Sequence, residues 1–302
     1  MRENALLQHV YRSNDALPPF VTIPPGDDMA GLRLAGPDLL VAVDQVADQL
    51  HFDLAHTPLE LVGRKALTRN LSDIAAMAAQ PTAAVVAVCL PQDFGHSRAT
   101  ALFDALRKTA EEFACPLVGG DISIWPGRLL LSVTVLAQPW PDASPIRRTG
   151  AQPGDQLVVT GHLGGSFPTG HHLTFTPRLD AAHQLAASPT LRPTAMIDLS
   201  DGIAQDLPRL VPHAVVQAAD LPLRPGLPDS NDDPAWTHAL GDGEDYELLM
   251  AIPAAADLPE HIAGVPLTRI GHVAEHAGHR VITPAGQSLP LADAAHGWEH
   301  GR

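Results

Sequence analysis

The chain has 302 residues, 45% hydrophobic and 18% charged, proportions that belong to a folded globular protein and exclude a disordered one. Nineteen basic against thirty-four acidic residues give a formal charge of −15, which argues against nucleic acid or an anionic membrane surface as partner, since both require a basic face. The length admits two domains of ordinary size, and no stretch approaches the roughly 20 apolar residues of a membrane span.

Residues 1–10 read as a short amphipathic helix without the long apolar stretch of a signal peptide. Residues 39–43 form an apolar run of strand length, and 59–79 carry helical periodicity interrupted by polar faces at Asn70 and Ser72-Asp73. A β-branched strand is expected over 83–90 and a helix over 97–113, with Ala101, Leu102, Ala105, Leu106 and Ala110 on one stripe. Pro116-Leu117-Val118 leads into Gly119-Gly120-Asp121, and 129–137 returns as a strand, completing an α/β half. The proline-rich residues 139–145 read as a linker. Beyond it come a turn at Gly154-Asp155, a strand over 156–160, a glycine-bearing loop at 161–165, a helix over 203–211 and a strand over 247–252. The proline-rich stretch near 223–234 is expected to be an exposed loop. Cys89 and Cys115 lie in apolar surroundings without metal-ligand spacing and read as small buried hydrophobes of a reduced, cytoplasmic protein.

Six acidic motifs punctuate these elements: Gly26-Asp27-Asp28, Val43-Asp44-Gln45, Asn70-Leu71-Ser72-Asp73, Gly119-Gly120-Asp121, Ile197-Asp198-Leu199-Ser200-Asp201-Gly202 and Gly241-Asp242-Gly243-Glu244-Asp245-Tyr246. Any one alone is equally a helix cap or a turn. Together they predict carboxylates that converge where strands end. Converged carboxylates do not all stay ionised without cations. Hard divalent ions, and the phosphates they accompany, are the expected partners.

In this order and at these spacings the motifs resemble those of the thiamine-monophosphate kinases, within the aminoimidazole-ribonucleotide-synthetase-like ATP-binding superfamily. The resemblance runs from Gly26 to the C-terminus and includes Lys65-Ala66-Leu67, Asp73-Ile74-Ala75-Ala76-Met77 and Arg148-Thr149-Gly150-Ala151-Gln152-Pro153-Gly154-Asp155. It implies an α+β fold of two α/β domains, residues 1–140 and 146–302. The resemblance further implies an N-terminal mixed sheet that forms a barrel across a homodimer and a C-terminal domain that is an α/β sandwich. It implies an Mg²⁺-dependent kinase that transfers the γ-phosphate of ATP to thiamine monophosphate, giving thiamine diphosphate and ADP. The implied metal ligands are Asp28, Asp44, Asp73, Asp121, Asp198 and Asp201, with several Mg²⁺ ions and Asp27 close by. Phe113, Gly119, Gly120, Arg148 and Ser200 fall on ATP-contacting positions; His51, Glu244 and Trp298 fall on positions that contact the acceptor.

The chain departs from that pattern in places. Val43 stands where the family has a hydroxyl residue. Gln49 replaces a glycine, with possible loss of a backbone conformation or a close approach. Ala78 replaces the glycine of a Met-Gly-Ala-x-Pro pattern. Residues 166–178 are short by about a helix and its connection. These departures leave open a superfamily relative acting on another acceptor, or a nucleotide-binding protein with weakened catalysis.

Overall fold

The computed structural model describes residues 19–24, 26–33, 38–230 and 232–298. The helix expected over 1–10 lies outside the described residues. The first sheet contains β1 (Val21–Ile23), β2 (Ala30–Leu32), β3 (Leu39–Ala47), β4 (Ala79–Pro91), β5 (Leu117–Trp125) and β6 (Leu130–Pro139). Their spatial order is β1-β2-β3-β6-β4-β5, antiparallel except for the β4–β5 pair. Two helices belong with it: α1 (Leu59–Ala76) and α2 (His96–Glu112). The expected strands over 39–43, 83–90 and 129–137 are all present, and each is longer than its apolar run.

The helix expected to continue to 79 stops at Ala76, because Ala78 takes a left-handed φ of 49° and Ala79 opens β4. Gln49 likewise sits at φ 66°, so the conformation that glycine would favour is retained by a residue for which it carries strain. Gly119-Gly120-Asp121, expected to follow a short lead-in, lies inside β5. A Cβ on Gly120 would stand 2.0 Å from the Val86 carbonyl oxygen, which is why the β4–β5 pairing requires glycine there.

The second sheet contains β7 (Gln156–Thr160), β8 (Ala195–Asp198), β9 (Ala214–Gln217), β10 (Leu248–Ile252), β11 (His261–Ile262), β12 (Val265–Val273), β13 (His279–Ile282) and β14 (Ser288–Pro290). Its order is β14-β13-β9-β12-β7-β10-β8, with β11 attached to β12. The helices α3 (Leu179–Ala187), α4 (Ile203–Leu210) and α5 (Ala235–Gly241) accompany it. The stretch near 223–234 carries no helix or multi-residue strand among its described residues.

Strand parity divides this sheet's buried side chains between two cores. Val158, Met196, Leu248, Met250 and Ile252 join the core that also holds α1, α2, α3 and the first sheet. Leu157, Val159, Ala195, Ile197, Leu249 and Ala251 join the core beneath α4 and α5. The helix α1 therefore lies between the first sheet and one face of the second. The architecture is mixed α/β with two open sheets. Among the described residues no barrel closes within one chain, so the expected barrel is not formed by these strands alone. Among the described residues no helix is long and apolar enough to cross a membrane.

Candidate active site

One face of α1 carries the polar residues of the site. Lys65, Arg69 and Asp73 recur every four residues and Ser72 flanks them, a spacing that puts all four on neighbouring turns of one face. Asp198 ends β8 with the parity of Met196, so it projects toward α1, and the Ser72 hydroxyl donates to its Oδ2 at 2.6 Å. Asp28 arrives from the loop before β2. The carboxylate oxygens of Asp28, Asp73 and Asp198 lie within 4.8 Å of one another.

Burial pushes the Asp198 carboxyl up to about 7, and the Asp28 charge adds to the rise against the Ser72 hydrogen bond and Arg148. Burial likewise raises Asp73 well above the ordinary carboxylate range, with Asp44, Asp198 and Asp28 adding to the effect. Asp73 and Asp198, whose burial penalises their charge, converge with the arginine-paired Asp28 to give a three-carboxylate donor set of the kind a hard divalent cation takes.

Arginines hold the neighbouring carboxylates. Arg148 forks onto Asp28 through Nε at 2.8 Å and Nη2 at 2.6 Å, and its backbone N–H reaches Asp27. Asp27 accepts from the Asp28 N–H at 3.0 Å; burial, then the Asp28 charge, raises its carboxyl. Arg69 donates from Nε to Asp44 at 2.8 Å, and burial raises the Asp44 carboxyl despite that partner. Asp201 pairs with Arg209 at 2.7 Å. Asp44 and Asp201 thus flank the convergent trio, while Asp121 lies exposed on β5 outside it.

Next to the carboxylates is a small pocket of about 30 Å³, lined by His51, Arg69, Ser200, Glu244, Tyr246 and Trp298 among others. All three residues expected on the acceptor side are therefore together. Behind them stands Lys65, fully buried, donating to the His51 carbonyl at 2.7 Å and to the Glu244 carboxylate, with His172 Nδ1 at 2.7 Å. Burial lowers the Lys65 ammonium to about 8, with Glu244 opposing the fall. Burial raises Glu244, but His172, Lys65 and Arg69 outweigh it and hold the carboxyl at about 2.

The shortened segment supplies part of this arrangement. It forms two single-turn helices, Ser166–Thr169 and His171–Thr174, joined at Gly170 with φ 72°. Phe167 stacks on His172 at 4.2 Å and reaches the pocket mouth.

Of the remaining expected residues, Gly119 and Gly120 lie exposed on the edge strand β5. Phe113 caps α2 with the Arg64 guanidinium 5.5 Å over its ring, and it lines a separate cavity of about 440 Å³ with Trp140 and Arg178. That cavity shares no lining residue with the acceptor-side pocket. Lys65, Arg69, His172, Phe167, Tyr246 and Arg209 had no role assigned from sequence. Their one legible signal was a lysine and an arginine four residues apart on the turns of α1 that lead to Asp73.

Residues 26–138 match the family model described as AIR synthase related protein, N-terminal domain. The thiamine-monophosphate kinase of Rhodopirellula baltica is 35% identical over 280 residues, covering 86% of this chain and 86% of that protein. The thiamine-monophosphate kinase of Synechococcus elongatus is 33% identical over 276 residues, covering 83% of this chain and 84% of that protein. The solved structure of AaThiL complexed with AMPPCP and TMP has a TM-score of 0.80 at 26% identity, covering 99% of this chain and 97% of that one. Identity at this level over most of both sequences, with the same fold throughout, means that the chain belongs to the thiamine-monophosphate kinase family.

Proposed function

We propose that this chain is an ATP-dependent phosphotransferase that moves the γ-phosphoryl group of ATP onto the phosphate of thiamine monophosphate. The observation that carries the reading is the convergence of Asp28, Asp73 and Asp198 beside a pocket holding His51, Glu244 and Trp298. The names of its relatives, and the AMPPCP and TMP bound by AaThiL, support the same substrates. In the reaction an oxygen of the acceptor phosphate forms a bond to the γ-phosphorus as the bond to the ADP oxygen breaks. Positioning and charge neutralisation, not a covalent nucleophile, are what the protein must supply.

Asp28, Asp73 and Asp198 would hold Mg²⁺, with Asp44 and Asp201 at its margins and Asp121, exposed on β5 outside the trio, as a further ligand of the same reading. Bound there, Mg²⁺ supplies charge neutralisation between two anionic phosphates. Arg148, already forked on Asp28, turns toward the nucleotide phosphates, and the backbone N–H groups of Gly119 and Gly120 approach them from an edge strand without a Cβ in the way. Ser200 adds a contact beside the nucleotide. Phe113 we assign to packing of α2, because its cavity is separate from the others. Glu244 and Trp298 suit a cationic ring, one by charge and one by its aromatic face.

Purified protein with ATP, Mg²⁺ and thiamine monophosphate should release ADP and thiamine diphosphate in equal amounts. Folded, ATP-binding protein that forms neither product sinks the reading. A division into 1–140 and 146–302 and a cytoplasmic location belong to the same proposal.

A homodimer through the first sheet is also part of it. The edge strand β5 exposes Val118, Ile122 and Ile124 at 63%, 58% and 70%, beside a groove lined by Phe94 and Phe103. An exposed apolar edge of this kind is either paired or an aggregation risk. Ile122→Lys together with Ile124→Lys should convert a dimer to a monomer in sedimentation velocity. A wild-type chain that sediments as a monomer would remove this part of the proposal.

A further inference from the structure

We propose that Arg69 and Tyr246 form the subsite that receives the acceptor's phosphate. The proposal rests on the phosphotransferase reading above and adds two binding residues to it. Tyr246 is only 2% exposed, and its hydroxyl has no hydrogen-bond partner among the described residues. Buried tyrosine hydroxyls are nearly always partnered, so an orphan one calls for a ligand atom.

The ring is not free to turn away. It stacks on Phe175 at 4.2 Å, and its own backbone sits at a left-handed φ of 50° while its N–H donates to the Leu199 carbonyl at 2.9 Å. A bulky residue persists in that conformation only where its surroundings over-determine it. Tyr246 lines the acceptor-side pocket together with Arg69, Glu244 and Asp201.

Arg69 shares that position. It donates from Nε and Nη2 to Asp44 and from Nη1 to the Gln45 carbonyl at 3.0 Å, which leaves part of its five-donor fork unused. It lines both the pocket with Glu244 and Trp298 and a second recess with Val43 and Asp44. Carboxylates surround this junction, so an anionic phosphate is tolerated only where a cation and a neutral donor meet it together. Arg69 and the Tyr246 hydroxyl are that pair. With the ring of the acceptor against Trp298 and Glu244, its phosphate points toward the trio of acids where transfer occurs. The pocket holds only about 30 Å³ as it stands, so the side chains at its mouth, Phe167 and Trp298, move aside as the acceptor enters.

The test uses the full chain and the variants Tyr246→Phe and Arg69→Gln. With Mg²⁺ and saturating ATP, kcat/KM for thiamine monophosphate should fall about ten- to a hundredfold in each, the worth of a lost hydrogen bond to a charged group. The KM for ATP should stay within about twofold, and inhibition by unphosphorylated thiamine should be unchanged in Tyr246→Phe, because thiamine has no phosphate to lose. Without substrates Tyr246→Phe should unfold at or above the wild-type temperature, since it sheds only an unsatisfied hydroxyl. An active wild-type enzyme whose Tyr246→Phe variant keeps its kcat/KM, or loses affinity equally for ATP and for thiamine, overturns this subsite and leaves the phosphotransferase reading standing. A folded wild-type protein that makes no thiamine diphosphate overturns both.

Discussion

Asp198→Asn should lower kcat by about 10³-fold or more, while leaving the metal-free protein at least as stable as wild type at neutral pH. The two effects have one cause. Asp198 lies 4% exposed beside Asp28 and Asp73, in surroundings that raise its carboxyl to about 7. Its ionised form is therefore a cost to the empty fold and an asset once a cation is held. Asparagine keeps an acceptor for the Ser72 hydroxyl and removes the charge. The sign of the pH dependence follows. Between the ordinary carboxylate value of 3.8 and about 7 the folded chain binds more protons at Asp198 than the unfolded chain. This group's contribution is thus full below the lower value and is lost as pH rises through the upper one. Thermal unfolding in a chelator should show wild-type stability falling across that window and Asp198→Asn falling less. Added Mg²⁺ should raise the wild-type midpoint more at alkaline than at acid pH, since its ligands must be deprotonated. Substantial turnover by Asp198→Asn, or identical pH profiles for the two proteins, would count against the assignment.

Lys65→Met should destabilise the fold by about 3–5 kcal/mol, and adding Glu244→Gln should restore more than half of that loss. Lys65 is fully buried with its ammonium shared among Glu244, His172 and the His51 carbonyl. Methionine fills similar space but leaves the Glu244 carboxylate buried with its main cation gone, and an unpaired buried charge costs far more than a missing pair. Neutralising Glu244 removes the charge that needed a partner. Urea unfolding of the two single variants and the double variant measures the coupling directly. A Lys65→Met protein as stable as wild type, or a double variant no better than the single, would show that the pair is not what holds α1 to the acceptor side. The double variant should also bind the acceptor poorly, which separates stability from function.

Much of this site was legible because carboxylates beside strand ends and glycines make short, ordered motifs. Asp28, Asp73 and Asp198 do converge, although 45 to 170 residues separate them along the chain. His51, Glu244 and Trp298, put on the acceptor side by the family resemblance and not by their spacing, do line one pocket. The cations were not legible. Arg69, Arg209 and Lys65 look like ordinary helix residues until tertiary packing places them against Asp44, Asp201 and Glu244. The extent of β5 was missed because two successive glycines suggest a loop, whereas here the close Val86 carbonyl demands one of them within a strand. The glycine replacements show the converse. Gln49 suggested a changed backbone, yet it holds a left-handed angle, as does Ala78 in place of the other glycine, since the surrounding hydrogen bonds fix the chain more firmly than the residue's own preference. The short segment at 166–178, which left the acceptor open, presents Phe167 and His172 to the acceptor side.

The polar face of α1 has a geometric consequence. Lys65 serves the acceptor pocket and Asp73 the acidic trio, and eight residues of unbroken helix join them, a span of about 12 Å at 1.5 Å per residue. On the α1 side, the offset between the two halves of the site is thus set by a rigid rod. Side chains within either half can be exchanged and the spacing survives. One residue inserted between Lys65 and Asp73 would advance the rod by a single rise and turn everything beyond it by about 100°, carrying one half of the site away from the other while each remained chemically intact.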